Sequence, residues 1–429
     1  MKKIKVGMIG LGNVGTGVAR YFHEGHGELY NIHLTKVAVR DDGKERDVVP
    51  PSITTDPYDI LHDPNINIVI EVMGGTDRAT DYMLDAMKKG KHVVTANKAS
   101  IAENMPILFK TARENGVNFF FEGSVAGSIP FMRILRGYQG EDIYAFTGII
   151  NGTCNYVLSA MERGNEYADA LTTAQNKGIA EADPTLDVSG FDARDKLVVI
   201  IAMVYNTYLP PEALHTEGIT NISRIDVDFA GKYEIEEGGP GYRIKLLAHA
   251  RRRGGMVEAH VYPALVSNDH PLALVSDTVN AVHIEGAFCG PQTYIGKGAG
   301  QNPTASAILS DVREVAQNIR NEVVIELPRL DANTPLADMR DLERRGYLRF
   351  DLSHTPGSGG EAMAILGKHN INIEDSRQRK AFRKTTESGI VIPDIMTFEP
   401  IRDGYVQDAL RELRQSDRIH EEPFHMRFA

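Results

Sequence analysis

A chain of 429 residues exceeds the usual size of a single domain, so two or three domains are expected. Apolar residues make up 42% of it and charged residues 24%, enough for a sizeable core. A formal charge of −11 with no long Lys/Arg run excludes nucleic acid or an anionic membrane as the main partner. No stretch approaches the roughly 18 to 20 apolar residues that span a bilayer, and glycines break the signal-like start MKKIKVGMIG. Cys154 and Cys289 form neither a metal spacing nor a disulfide framework, so a cytoplasmic protein is expected.

Ile4 to Ile9 reads as a short buried strand and Thr16 to Phe22 as a helix. Between them stands Gly10-Leu11-Gly12-Asn13-Val14-Gly15. Strand, glycine turn and helix are the context a dinucleotide fingerprint requires. The first glycine permits the tight turn, the second lets backbone approach a pyrophosphate, and the third lets helix pack on strand. N–H groups at the helix start then face the phosphates. A second strand, His33 to Val39, ends in Arg40, which suits a ribose 2′-phosphate and so NADP. Asp41 and Asp42 follow at once and leave NAD open.

Further strands fit Ile66 to Val72 and His92 to Thr95, around a helix from Asp77 to Lys89. Thr95-Ala96-Asn97-Lys98 then lies past a strand's carboxyl end, where parallel sheets place their ligands. Phe119-Phe120-Phe121 is another buried strand. It leads into Glu122-Gly123-Ser124-Val125-Ala126-Gly127-Ser128-Ile129-Pro130, which is either a tight turn out of the sheet or a set of oxygen ligands for a hard cation.

The middle of the chain offers a strand at Phe146 to Ile150, the polar turn Asn151 to Asn155, and helices from Tyr156 to Glu162 and from Tyr167 to Lys177. Gly178 closes the last of these. Gly178 to Leu197 is then dense in charge, with Glu181, Asp183, Asp187, Asp192 and Asp195 beside Arg194 and Lys196. Pro184 and Gly190 break its first half into a loop. Ser189 or Gly190 caps a helix from Phe191 to about Tyr205, largely buried because Leu197, Val198, Ile200, Ile201 and Val204 cover most of its circumference. Asp192 and Lys196 stand one turn apart on it. They form either a surface ion pair or an acid with the carboxylate that tunes it.

The succession GLGNVG, TANKA, EGSVAGSIP, GIINGTCNYVL, GIAEADPTLDVSGFDARDK and GKGAGQNPTASAILSD resembles the homoserine dehydrogenases. The resemblance implies reversible reduction of aspartate 4-semialdehyde to homoserine with NAD(P)H, on the route to threonine and methionine. It makes Lys196 the acid/base lysine, Asp192 its neighbour and Lys98 a second active-site lysine. Gly178, Glu181 and Asp187 become substrate-pocket positions, with Glu181 at the substrate's amino group. Gly10, Gly12, Asn13, Val14, Gly15, Arg40, Thr95, Lys98 and Gly300 take the coenzyme, and Glu122 with backbone at Val125, Gly127 and Ile129 takes a sodium ion. The chain departs from the family pattern at Ser128, at Cys154 and at Gln301-Asn302, the last beside Gly300. A long helix from Ala305 to Asn318 is expected to return to the nucleotide domain. An aspartate-semialdehyde dehydrogenase would need a catalytic cysteine, and Cys154 has no histidine in its motif; a sensor without catalysis would not need both lysines.

The expected architecture is α/β. A Rossmann-type dinucleotide domain covers residues 1–136, completed by a helix near 304–320. An α+β catalytic and dimerisation domain covers 137–324, a linker 325–346, and a βαββαβ tail 347–429. That tail resembles an ACT domain, which implies either a threonine effector site or an assembly module. Ser358-Gly359-Gly360 replaces the apolar residues usual after Pro356-Gly357. A homodimer or homotetramer is expected.

Overall fold

The computed structural model describes residues 1–235, 238–386 and 389–429. The chain opens with β1 (Ile4–Ile9), α1 (Asn13–His23), β2 (Ile32–Ala38), β3 (Ile53–Thr54), α2 (Tyr58–Leu61), β4 (Ile68–Glu71) and α3 (Asp77–Lys88). β5 (His92–Thr95), α4 (Lys98–Glu114), β6 (Phe119–Phe120) and α5 (Phe131–Gly137) follow. The six strands run parallel in the order β3-β2-β1-β4-β5-β6. This is the doubly wound arrangement, whose ligands lie beyond the strands' carboxyl ends where the order reverses, here beside β1 and β4. The sequence reading has no helix over 98–114, where Pro106 stands inside α4. Burial of Ile101, Ala102, Met105, Leu108, Phe109 and Ala112 on one face outweighs the missing hydrogen bond.

The chain continues with β7 (Ile143–Ile149), α6 (Gly152–Glu162), α7 (Tyr167–Asn176), α8 (Thr185–Val188), α9 (Phe191–Tyr205), β8 (His215–Thr216) and α10 (Arg224–Ala230). Next come β9 (Tyr242–Arg253), β10 (Met256–Ser267), β11 (Val279–Gly286), β12 (Gly290–Lys297) and α11 (Gln301–Asn321). The segment expected to be all loop before α9 contains the single turn α8. β9 and β10 form a hairpin closed by Gly254 and Gly255, both at positive φ (57° and 83°), as a two-residue turn between twisted strands demands. α11 buries Ala305, Ile308, Val312, Val315 and Ala316 in the same core as residues of β1, β2 and β4. No helix of the described residues is long and apolar enough to cross a membrane.

The tail is β13 (Glu343–Ser353), α12 (Ser358–Lys368), β14 (Ile373–Gln378), β15 (Lys384–Thr386), β16 (Gly389–Arg402), α13 (Asp403–Leu413) and β17 (Phe424–Phe428). Its sheet runs β17-β13-β16-β14, antiparallel throughout, with β15 on β16. Leu348, Phe350 and Leu352 share a core with Ala362 and Leu366 of α12 and Val406, Ala409 and Leu410 of α13. The alternate residues point the other way. There the Tyr347 hydroxyl (2.5 Å) and Arg349 Nε (2.8 Å) both donate to the buried carboxylate of Asp226 on α10. β17 also pairs in parallel with β10, Ala264 opposite Arg427 and Leu265 opposite Phe428.

The tail therefore shares a sheet with β9 and β10. Residues expected to be linker are stitched to the same sheet, where Val257 donates to the Pro335 carbonyl and Ala337 to the Val257 carbonyl. Backbone N–H and C=O groups that run beside an open strand are better paired with it than with water. The chain separates into two compact units, residues 1–146, 192–214 and 278–334 in one and 147–191, 215–277 and 335–429 in the other.

The second unit buries an unusual amount of polar chemistry. Arg427, with no exposed surface, donates to Glu217 (2.9 and 3.0 Å) and to Asp403 (2.8 Å), and its guanidinium lies over the Tyr262 ring. Burial alone would raise the Glu217 carboxyl, but His215 and Arg427 hold it at about 2. Burial lowers His249 to about 3 and His425 to about 3, and takes His260 well below the ordinary value. These histidines fold neutral and would be charged in the unfolded chain at mildly acid pH, so the unfolded state binds more protons between about pH 6.5 and 3. Stability should therefore be full above pH 6.5 and fall as pH drops through that window, by roughly 1 to 2 kcal/mol per histidine between pH 7 and 5. Denaturant titrations at pH 5 and 7 read this directly, and His260→Phe, which keeps a ring between His249 and Tyr262, should flatten the dependence.

Candidate active site

The three glycines of the first turn differ in what surrounds them. Gly10 has a φ of 104°, and a Cβ there would meet the Val72 carbonyl at 2.6 Å. A Cβ on Gly15 would meet the Gly10 carbonyl at 2.5 Å, whereas one on Gly12 would touch nothing within 4 Å. The outer two serve the turn and the packing, and the middle one leaves backbone open to a ligand. Asn13 and Val14 begin α1 beside it. Gln301, at the departure from the family pattern, donates to Asn13 Oδ1 (3.1 Å) and accepts from Arg20 (3.3 Å), so it ties the start of α11 to the glycine turn. Gly300 caps α11 at a φ of 117°.

A cavity of about 850 Å³ opens in front of this turn, with Arg40, Lys44, Arg46 and Arg78 on its wall and Met73-Gly74-Gly75 on its floor. Asp41, which clouds the coenzyme reading of Arg40, is turned into its own loop, where Oδ1 accepts from Gly43 N at 2.9 Å. Arg46 donates to the carbonyls of Asp41, Asp42 (3.3 Å) and Lys44 (2.6 Å) and so folds the loop around itself. Arg40 stays exposed at the end of β2.

Past β5, Asn97 caps α4 by accepting from Ser100 N (3.2 Å), which fixes Lys98 as the first residue of that helix. Lys98 Nζ lies 3.0 Å from Asp192 Oδ1, and Lys196 Nζ lies 2.6 Å from Asp192 Oδ2. The predicted Asp192–Lys196 pair is thus present, and Lys98 joins it from a segment 94 residues away in sequence, counted from 98 to 192. Sequence spacing carries no signal for that long-range contact. Side-chain exposure is 37% for Lys98 against 11% for Lys196, so the two ammonium groups see different amounts of water. Two ammoniums on one carboxylate leave one positive charge in excess, the sign that a developing alkoxide needs. α9 rises from Asp192 into wholly buried Leu197, Val198, Val199, Ile200 and Ile201, which anchors the cluster.

The other predicted substrate residues belong to the second unit. Asn151 caps α6 through Cys154 N (2.8 Å) and donates from Nδ2 to Asp187 Oδ1 at 2.7 Å. Cys154 is buried in α6 rather than in a turn, and its thiol donates to the Asp187 carbonyl at 3.1 Å, so it acts as a packing residue there. Glu181 and Gly178 are exposed, Gly178 at a φ of 67°. Gln175 donates to the carbonyls of Glu181 (3.3 Å) and Ala182 (3.1 Å), which holds the loop at the end of α7.

At the expected cation turn the Glu122 carboxylate accepts from Met132 N (2.8 Å) and Arg133 N (3.0 Å), and so caps α5. Burial raises Glu122, and more strongly Asp311, whose carboxylate accepts from Glu122 N at 2.8 Å. Ala126 and Gly127 are both left-handed, with φ of 54° and 59°, and Gly127 lies against the carbonyls of Lys297 and Gly298. Elsewhere, the ligand atoms of His249, Glu258 and His260 lie within 4.8 Å of one another, but the Arg344 guanidinium already sits on the Glu258 carboxylate, so the chain itself supplies the cation there.

A glycine turn at the reversal of a parallel sheet, with paired ammoniums at its carboxyl edge, defines an NAD(P)-dependent oxidoreductase. Residues 10–122 match the family profile "Homoserine dehydrogenase, NAD binding domain" and residues 130–312 the profile "Homoserine dehydrogenase". Homoserine dehydrogenase of Pseudomonas aeruginosa is 36% identical over 98% of this chain and 97% of its own length. A crystal structure of a homoserine dehydrogenase from Thiobacillus denitrificans matches with a TM-score of 0.89 at 33% identity, covering 100% of this chain and 98% of that one. A hyperthermophilic archaeal homoserine dehydrogenase in complex with NADPH matches with a TM-score of 0.62 at 26% identity, over 74% of this chain and 98% of that one. The chain belongs to the homoserine dehydrogenase family, and its reaction is the reversible NAD(P)H-dependent reduction of L-aspartate 4-semialdehyde to L-homoserine.

Because Asp192 meets both lysines, Asp192→Asn should cost at least about a hundredfold in turnover while the fold survives. Steady-state kinetics beside a thermal melt check this; unchanged turnover would remove the cluster from the chemistry.

Proposed function

We propose that Lys196, Asp192 and Lys98 are the catalytic residues of this dehydrogenase, a reading that the ammonium–carboxylate–ammonium geometry supports most directly. Bound reduced nicotinamide supplies the hydride to the aldehyde carbon. Lys196 stabilises the charge that grows on the carbonyl oxygen and donates a proton to it, Asp192 orients the ammonium, and Lys98, the more exposed of the two, relays protons. Glu181 receives the substrate ammonium, and Asp187, held by Asn151, and backbone at Gly178 complete its recognition. The coenzyme lies on Gly10 to Gly15, Thr95 and Gly300. NADP is preferred, because Arg40 stands exposed at the end of β2 while Asp41 is engaged within its own loop.

Sodium is proposed at backbone carbonyls of Val125, Gly127 and Ile129, next to Glu122. What supports it is the pair of consecutive left-handed residues Ala126 and Gly127, with the neutral carbonyl oxygens of Lys297 and Gly298 beside Gly127, oxygens of the kind hard cations take. The Glu122 carboxylate faces α5 and acts by holding the turn.

Homoserine-dependent reduction of NADP and of NAD, followed by absorbance of the reduced coenzyme with and without sodium, tests these readings together. Lys196→Ala should lower turnover by roughly a hundredfold or more with coenzyme binding nearly intact. Arg40→Ala should weaken NADP by roughly tenfold to a hundredfold and leave NAD unchanged. Equal loss for both coenzymes would make Arg40 structural, and a rate indifferent to sodium would withdraw the cation.

A second reading concerns the tail, whose strand order and two helices on one face support an ACT-like module; we propose for it an amino-acid effector such as threonine, in a homodimer or homotetramer. A cavity of about 440 Å³ lined by Asn221, Arg349, Gln407, Arg414 and His425 favours it. Truncation is the wrong test, because removing β17 strips β10 of a partner and leaves Glu217 without Arg427. Calorimetry with threonine on the full chain and on Gln407→Ala is the right one. Absence of heat, with no inhibition at high threonine, leaves the tail an assembly module.

A further inference from the structure

Glu71 closes β4 at the carboxyl edge of the nucleotide sheet and has no exposed surface. A carboxylate so placed is costly, and burial pushes its proton affinity up. Its surroundings compensate in a particular way. Oε1 accepts from Met73 N (2.8 Å), and Oε2 accepts from the Thr95 hydroxyl (2.7 Å), Thr95 being its register partner on β5. Thr95 Oγ1 in turn accepts from Asn97 N (3.0 Å), and Asn97 Nδ2 donates to the Gly75 carbonyl (2.6 Å). The hydrogen bonds form a closed circuit from Glu71 through Thr95 and Asn97 to Gly75, and back along the chain to Met73.

Two functional parts hang on this circuit. Gly74 and Gly75 are both left-handed, with φ of 76° and 77°, and a Cβ on either would touch nothing within 4 Å. The floor of the coenzyme cavity thus has little packing of its own to fix its shape. Asn97 is also the cap that starts α4, and Lys98 is the residue immediately after it.

We propose that Glu71 is a positioning residue which, through one buried carboxylate, sets both the coenzyme floor at Met73–Gly75 and the origin of the helix that carries Lys98. A carboxylate suits this post because both neighbours donate to it. An amide keeps one acceptor but turns the other oxygen into a donor, so once it accepts from Met73 N–H it can only donate to Thr95 Oγ1, and the Thr95 O–H loses its acceptor. The inference rests on the reading of Lys98 for its effect on turnover, and on the cavity alone for its effect on coenzyme.

The test compares Glu71→Leu, Glu71→Gln and Lys98→Ala in the full chain, by NADPH titration, by kcat and KM for homoserine, and by thermal melting. Glu71→Leu should raise the NADPH Kd about tenfold and lower kcat by about thirtyfold or more, with homoserine KM moving less than about threefold. Glu71→Gln keeps an acceptor for Met73 N–H. It should restore the Kd to within about threefold while kcat stays at least about fivefold low, a split that mere loss of stability does not produce. Wild-type Kd and kcat in Glu71→Leu would overturn the proposal, whatever the melting temperature. Should that variant not fold, Glu71→Gln with unchanged kcat and Kd would overturn it equally. Full turnover in Lys98→Ala would instead overturn the reading of Lys98, and the NADPH Kd would then decide the coenzyme part alone.

Discussion

One buried carboxylate holds the proposed reactive centre together. Asp192 meets Lys98 on one oxygen and Lys196 on the other, at the point where a helix enters the apolar core. Two ammoniums brought this close repel, and only a shared counter-charge makes the approach stable. The helix explains the position. Its following turns have no exposed side, so the first turn cannot move without disturbing Leu197, Val198 and Ile201. The apolar run is thus the rigid base that lets a polar cluster keep its geometry.

Local chemistry was legible in the sequence because it depends on neighbours in the chain. The glycine turn, the start of α9 at Phe191 and the Asp192–Lys196 spacing all follow from steric freedom or helical period, which reach only a few residues. Contacts that bridge distant segments left no such mark. Lys98 on Asp192, Arg349 on Asp226 and Arg427 on Glu217 and Asp403 depend on which strands become neighbours. The hairpin of β9 and β10 was missed for another reason. Its strands are buried almost throughout one length and end in Arg251-Arg252-Arg253, so neither alternation nor a clean apolar run announces them.

The tail illustrates how a familiar order of elements can mislead about independence. Its elements run βαβββαβ, with the short β15 added to the expected order, yet both faces of its sheet are occupied, one by its own helices and the other by α10. Its last strand finishes beside β10. A module with a free second face can be cut away, but one whose buried Arg and Tyr satisfy an Asp on another segment cannot. Removing the donors would strand a buried charge.

The same seam gives the tail a short physical route to Asp187, a proposed substrate residue of its own unit. Arg427 on β17 holds the Glu217 carboxylate. The next residues, Gly218 and Ile219, lie on the backbone of Val188 and Ser189, with Ile219 N donating to the Val188 carbonyl at 2.8 Å. Gly218 is required there because any Cβ would run into that carbonyl. Val188 follows Asp187, whose carboxylate is held by Asn151. A displacement of β17 would therefore reach Asp187 through a charge pair, a glycine contact and one backbone hydrogen bond. Contiguity alone does not make coupling, which needs an element with two arrangements of different ligand affinity. The cavity beside Gln407 and His425 borders Glu217 and Gly218 directly, so a ligand that favoured one setting of that loop would have its differential contacts at the start of the route.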